Sequence, residues 1–369
     1  AIIAAYLPNE TATALETIEA FLNLDYAADL QVIFAYNTPR PLPMEEELQA
    51  IARRDPRFVP LRVSGSTSKA QNVNAALRIV RGAFVGIFDA DHKPDPNSYT
   101  RAWDWLASGY DVVQGHCVIR NGDASPIAQL VAVEFESIYA VSHPGRTRLH
   151  GFGLFGGSNG YWKTDLLRQT RMQTAMLTED IDSSLRVITA GYRIASDPKL
   201  ISRELAPLTL RAFWHQRLRW AQGWFQVSLK HVVPALKSPY LSARQKAGVL
   251  HLLLWRECYV WICVQILPIL AFWVFVRHEH VSWFVPLFLV TTIVTTLTGP
   301  LQLFFTYLRA DTEVRKRGRW FLTYLIYSLV FFSELKNVIS RLAHFKETLR
   351  ERAWKVTPRS TSAVPPVAS

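Results

Sequence analysis

At 369 residues the chain has room for one full catalytic domain and a second unit, since domains usually run to one or two hundred residues. Its formal net charge of +11 does not call for nucleic acid. The strongest basic run, Arg315-Lys316-Arg317, lies between two apolar segments, and no basic block is interleaved with a nucleic-acid motif. Of three cysteines, Cys258 and Cys263 fall inside an apolar run, which excludes a disulfide framework and a zinc site.

The opening run Ala1-Ile2-Ile3-Ala4-Ala5-Tyr6 has neither a basic leader nor a cleavage pattern, so it reads as a buried strand and not as a signal peptide. A chain that starts inside a strand is expected to lack an upstream segment. Up to about residue 200, strand-like runs alternate with helical periodicity, which predicts an α/β fold with a mostly parallel sheet covered by helices. Strands are expected at 1–6, 30–36, 58–63, 84–88 and 111–114, and helices at 11–24 and 70–81. Asp89-Ala90-Asp91 follows the fourth strand directly, so two carboxylates fall at the C-terminal end of a buried strand, where open α/β sheets bind ligands. There they can hold a divalent cation that also binds a diphosphate; Pro94 and Pro96 leave an ordinary acidic turn as the alternative. A glycine-rich loop occupies 151–160. Beyond it, Thr178-Glu179-Asp180 precedes an amphipathic stretch, 181–190, and taken alone is the acidic start of a helix.

Composition changes after about residue 210. Residues 211–236 mix Trp, Phe and Leu with Arg, Lys and His, which predicts an amphipathic helix lying in a lipid headgroup region. On it, Gln216-Arg217-Leu218-Arg219-Trp220 taken alone is an interfacial anchor. Residues 258–276 are apolar for long enough to cross a bilayer, and 281–308 for longer, with Gly299-Pro300 as a kink. The connector 277–280 then lies outside and the basic connector 309–319 inside, in keeping with the positive-inside rule. A third apolar run, 320–333, is short for a crossing and reads as re-entrant, which leaves the basic tail 341–359 inside; 360–369 has a disordered composition. The expected units are thus 1–210 (catalytic), 211–247 (interface helices), 248–345 (membrane helices) and 346–369 (cytosolic tail).

Four features in this order, Lys69-Ala70-Gln71-Asn72, Asp89-x-Asp91, Thr178-Glu179-Asp180 and Gln216-x-x-Arg219-Trp220, followed by apolar spans, resemble glycosyltransferase family 2. The likeness is greatest to its membrane-integrated synthases of cellulose, hyaluronan, chitin and poly-N-acetylglucosamine. It covers residues 1–230 closely and the spans loosely. The resemblance implies a GT-A fold in which Pro8, Asn9, Glu10, Asn37, Lys69, Asn72 and Asp89 bind the nucleotide-sugar and Asp91 holds Mg²⁺ or Mn²⁺. It also implies that Asp180, beside Glu179, is the general base, and that Asn159, Gln216, Arg219 and Trp220 line the acceptor and diphosphate end. An acceptor hydroxyl is a poor nucleophile at neutral pH, and a carboxylate that takes its proton supplies a factor of about 10² to 10⁴. The Trp220 ring offers a face on which a sugar can stack and Arg219 a fixed charge near the diphosphate.

Two features depart from the family pattern. Tyr36-Asn37-Thr38-Pro39 stands where many relatives carry an acidic pair that binds the base, so Asn37 is left to hydrogen-bond a uracil edge; the family's usual spans ahead of the catalytic domain are also not present. The tail Trp354-Lys355-Val356-Thr357-Pro358-Arg359 resembles the gating loop of cellulose-synthase-like enzymes, with a basic linker as the alternative. The resulting expectation is an integral membrane enzyme with a cytosolic catalytic domain. It would transfer a sugar with inversion from UDP-glucose or UDP-N-acetylglucosamine to a growing β-linked polysaccharide, or a single sugar to a lipid such as ceramide or diacylglycerol. Membrane lipids are expected partners, with an export partner of unknown kind; nucleic acid is not.

Overall fold

In the computed structural model, residues 1–262, 275 and 299–351 are described. Eight strands form one sheet: β1 (Ile2–Tyr6), β2 (Val32–Asn37), β3 (Phe58–Arg62), β4 (Phe84–Asp89), β5 (Lys93–Pro94), β6 (Val112–Ile119), β7 (Gly160–Lys163) and β8 (Ile194–Glu204). Their spatial order is β3-β2-β1-β4-β7-β6-β8-β5. The first four pair in parallel, β7 runs antiparallel to both β4 and β6, and β6 and β8 are again parallel. β5 closes one edge antiparallel to β8.

Strands β1 and β2 are almost continuously buried, as central strands covered on both faces must be. Alternate side chains feed two cores. Ile2, Ala4, Ile33, Ala35 and Ile87 pack against Ala70, Val73 and Ala76 of the helix Lys69–Ala76. Ile3, Ala5, Phe34 and Phe88 pack against Ile18 and Phe21 of the helix Ala14–Leu22. All five expected strands form, with ends shifted by one or two residues and the last extended to Ile119. Three more strands were not legible. β8 contains Asp197-Pro198-Lys199, a turn-like triplet that the sheet absorbs through a register shift opposite Gln114 and His116. β7 is only four residues long and follows glycines, and β5 is two residues.

The segment expected to lie in a headgroup region is the helix Leu210–Lys237, started by the Thr209 side chain accepting from the Ala212 amide. It is largely internal. Phe213, Gln216, Arg217, Ala221, Gly223, Val227, His231 and Ala235 are buried against the catalytic unit and the helix Ser333–Thr348, while Leu229 and Val233 remain 67% and 54% exposed. The third apolar run forms Gly318–Tyr327, a wider π-helical turn at Ser328–Phe332 and the start of Ser333–Thr348, with one side turned to the sheet domain. Phe321 joins Val118 and Val133, and Phe332 meets Phe213 at 5.3 Å between ring centroids, whereas Leu322, Ile326, Leu329 and Phe331 are 50% or more exposed. Among the described residues, no helix is long and apolar enough to cross a membrane. The expected spans 258–276 and 281–308 lie mostly outside the described residues, as do Trp354, Thr357 and Arg359 of the expected gating tail.

Candidate active site

The C-terminal ends of β1, β2 and β4 meet at one edge of the sheet. Asn72 ties two of them together. Its amide nitrogen donates to the Ala5 carbonyl at 3.1 Å and to Asn37 Oδ1 at 2.8 Å, and its oxygen accepts from Ser66 Oγ at 2.6 Å. With 1% exposure and its amide fully engaged, Asn72 braces the site and does not reach a ligand. Asn37 gives its oxygen to this brace. After β1, the short helix Leu7–Glu10 exposes Pro8, while Asn9 Nδ2 donates to Glu10 Oε1 at 3.0 Å and Glu10 is largely buried.

Lys69 opens its helix behind the Ser68 cap and extends to Asp89 at the end of β4, with Nζ 2.5 Å from Asp89 Oδ1. The same ammonium donates to the Gly157 carbonyl at 2.7 Å, and the Asp89 amide donates to Ser158 Oγ at 3.0 Å. The glycine loop is thereby pinned to the carboxylate. Asp91 is wholly buried, and its Oδ2 accepts from the Leu205 amide at 3.1 Å. Asp89, Asp91 and His92 present donor atoms within 4.8 Å of one another. Two carboxylates and an imidazole suit Mg²⁺ or, better, Mn²⁺, so the residues present fit a divalent cation.

On the opposite side of the loop stands the triplet. Glu179 begins the helix Glu179–Thr189, and Asp180 Oδ1 accepts from the Ile181 amide at 2.8 Å. Gly157 has φ +98°, and a Cβ there would fall 2.8 Å from Asp180 Oδ2, so glycine is required for both the turn and the close approach. Burial, and then the neighbouring Glu179, push the Asp180 carboxyl up to about 7; Lys69 and Arg219 oppose the shift. Burial raises Glu179 as well. Burial works against the Lys69 ammonium, but Asp89, Glu179 and Asp180 outweigh it and hold its pKa above the usual lysine range.

Asn159 does not face an acceptor. It is fully buried in a left-handed turn (φ 52°), and its amide donates to the carbonyls of His116 and Leu200, at 3.1 and 2.9 Å. It shapes the loop, a role for which Asn at positive φ is well suited. Gln216 is buried at 6% exposure, while Arg219 and Trp220 are half-buried. One face of Trp220 is covered by the Arg217 guanidinium, 4.3 Å from the ring centroid, and the Phe135 ring lies 6.4 Å away between centroids. Arg217, His92 and Tyr139 escaped the sequence reading. Arg217 sits at an unassigned position inside a motif and His92 adjoins Asp91. Tyr139, whose hydroxyl lies 3.0 Å from where a Gly156 Cβ would be, carries no sequence signal.

The family model for glycosyltransferase like family 2 matches residues 1–223. Poly-beta-1,6-N-acetyl-D-glucosamine synthase of Staphylococcus epidermidis is 26% identical over 244 residues, covering 65% of this chain and 58% of that protein. The synthase of the same name from Staphylococcus aureus is 27% identical over 250 residues, covering 64% and 57%. The chain thus spans little more than half the length of these relatives. Among solved structures, the mannosyltransferase PcManGT from Pyrobaculum calidifontis, held in complex with GDP-Man and Mn2+, superposes with a TM-score of 0.58 at 20% identity, over 89% of this chain and 86% of that one. That likeness establishes the GT-A-like α/β fold.

Proposed function

The chain belongs to glycosyltransferase family 2, and from that premise we propose that it transfers a sugar from a nucleotide-sugar to an acceptor hydroxyl, with inversion, using Asp180 as the base. The observation that carries this reading is the place of the Asp180 carboxyl, which abuts Gly157 while the carbonyl of the same glycine accepts from Lys69 of the Lys69–Asp89 pair; desolvation and Glu179 raise its pKa to about 7. The acceptor oxygen attacks the anomeric carbon, its proton passes to a carboxylate oxygen of Asp180, and the diphosphate leaves with the bonding electrons. An α-linked donor then gives a β-linked product. Lys69 and Arg219 supply positive charge where the leaving group develops negative charge. Asp89, Asp91 and His92 would hold a divalent cation, which supplies further charge against the diphosphate. Asn37 would meet the base and Trp220 the acceptor sugar.

The donor we favour is UDP-N-acetylglucosamine or UDP-glucose and the acceptor a growing polysaccharide, a reading supported by the two named synthases. Single-sugar transfer to a lipid uses the same carboxylates. A membrane setting is supported by the residues bordering the two apolar runs, and a cytosolic catalytic unit by the basic connector 309–319 under the positive-inside rule. Trp255, Tyr259 and Ile262 are 50%, 47% and 43% exposed, and Phe304, Phe305 and Leu308 are 55%, 54% and 47% exposed, as side chains facing lipid would be. The test is incubation of the purified full chain with a panel of UDP-sugars and Mg²⁺ or Mn²⁺, followed by sizing of the product. Long β-linked chains support the polymer, a single transferred sugar the lipid reading. Absence of transfer from every donor, with every acceptor, would sink the proposal. Full activity in excess chelator would overturn the cation assignment alone.

A further inference from the structure

Behind the glycine loop lies a file of basic and aromatic side chains that the transfer reaction leaves unused. A π-helical turn, Ser137–Ser142, carries Tyr139, and the helix His143–His150 follows it. Such turns are rare and recur at functional sites. Tyr139 reaches Gly156 at one end and at the other lies 4.9 Å, between ring centroids, from His143. One turn on is Arg146, and one more turn on is His150, 5.7 Å from His251. Residues 143, 146 and 150 share a helix face by their spacing.

Arg146 lacks a counter-charge. Among the described residues Arg146 makes no ion pair or hydrogen bond, and its Nη1 is fully buried. His143, 8% exposed, has Nδ1 buried without a partner. On the preceding turn, Glu136 Oε2 is taken by His116 at 3.2 Å and by the Asp311 amide at 2.9 Å, while Oε1 has no hydrogen-bond partner among the described residues. A guanidinium with a buried nitrogen and no anion is costly, and such an unsatisfied group calls for an explanation, of which a bound anion is one.

We propose that Arg146, flanked by His143 and His150, is a phosphate subsite for the acceptor, so that this enzyme acts on a phosphate-bearing acceptor whose hydroxyl reaches Asp180 past Tyr139. The proposal rests on the glycosyl-transfer reading and names its substrate class. A guanidinium fork matches phosphate oxygens in bidentate fashion, and a neutral His143 has one ring N–H to add. The outer end of the file is open: Leu149 is 70% exposed, and Leu254 and Trp255 are about half exposed beside His251. A lipid-borne phosphate and a free phosphate-bearing acceptor both fit this arrangement.

The test uses the full chain with its donor site filled by UDP and Mg²⁺, so that added phosphate cannot bind there. Calorimetric titration with inorganic phosphate should show saturable binding that Arg146→Gln weakens by about tenfold or more, the usual loss for a charge-assisted pair, with Arg146→Lys intermediate and UDP binding unchanged. Co-sedimentation with phosphatidylcholine vesicles, with and without phosphatidic acid, separates the sources. An Arg146-dependent gain on phosphatidic acid indicates a lipid-borne phosphate, and phosphate binding without that gain indicates a free acceptor. No phosphate binding, or equal binding by wild type and Arg146→Gln, overturns the subsite. Loss of UDP binding by the wild type strikes at the donor-site reading instead, and His143→Gln serves as the second variant should Arg146→Gln fail to fold.

Discussion

Asp180 is the residue on which the chemistry turns, and its setting has a measurable signature. Asp180→Asn keeps the size and hydrogen-bonding shape of the side chain but removes the proton acceptor, so transfer should fall by at least about 10²-fold while UDP binding changes little. Retained turnover within about tenfold of wild type would contradict the assignment. The pH profile gives an independent check. Burial and Glu179 raise the free-enzyme pKa to about 7, and only the deprotonated carboxylate can act as base. Thus kcat/KM should climb as pH rises through about 7 and fall tenfold for each unit below it, where an ordinary carboxylate would give a flat profile down to about 4. A profile flat across neutrality would remove Asp180 from the role.

At the scale of elements, the site depends on how closely the helix Leu210–Lys237 approaches the triplet. Gly223 makes that approach possible: a Cβ there would lie 2.5 Å from Thr178 Cγ2 and 2.9 Å from the Thr178 backbone nitrogen. Gly223→Ala should therefore push Thr178-Glu179-Asp180 out of register and lower kcat by at least about tenfold, although alanine favours the helix itself. Unchanged kcat in a folded Gly223→Ala variant would show that the contact is slack. The two helices are also tied by charge, since Asp182 is met by Arg186 at 2.8 Å, Lys230 at 2.7 Å and His231 at 2.8 Å. Farther along, Glu134 joins three elements by pairing with Arg217 at 2.5 Å and Lys336 at 3.1 Å. Burial disfavours this carboxylate, but Arg217 and Lys336 outweigh it and hold its pKa below the usual glutamate value. Glu134→Ala leaves two cations in a poorly solvated place and should cost about 3–5 kcal/mol of stability, read as a drop in the denaturation midpoint. A loss under about 1 kcal/mol would mean that water screens the triad.

At the scale of the whole molecule, the helices after residue 237 do two things at once. Inwardly they complete the domain. Gln226 accepts from the Leu177 amide at 3.2 Å and donates to Glu347 at 2.7 Å, so the residue just before the triplet is linked through one side chain to the last described helix. Outwardly the same region exposes Trp255, Tyr259, Phe304, Phe305 and Phe331, a surface that water does not favour. We expect the full chain to stay with the membrane fraction through high-salt and alkaline washes and to leave it only with detergent, measured by immunoblot of the fractions. Release by salt alone would limit the association to charge and rule out spans at 258–276 and 281–308.

Patterns local in the chain were enough to read much of this protein. Alternating strand and helix periods announced the α/β fold, because burial on two faces writes itself into consecutive residues such as Ile2-Ile3-Ala4-Ala5. The ordered motifs announced the family, because Asp89, Asp91 and Asp180 need fixed positions at strand and helix ends. Tertiary structure decided the rest. Asn72 and Asn159 became braces because the carbonyls they satisfy come from strands far away in sequence. The helix with Gln216, Arg219 and Trp220 became a buried strut because Gly223 lets it touch Thr178, and a helical stripe of mixed polarity does not reveal whether lipid or protein will cover it. His92, Arg217 and Tyr139 entered the site only through folding, since proximity in space between Asp91, Glu134 or Gly156 and these residues depends on how distant elements pack.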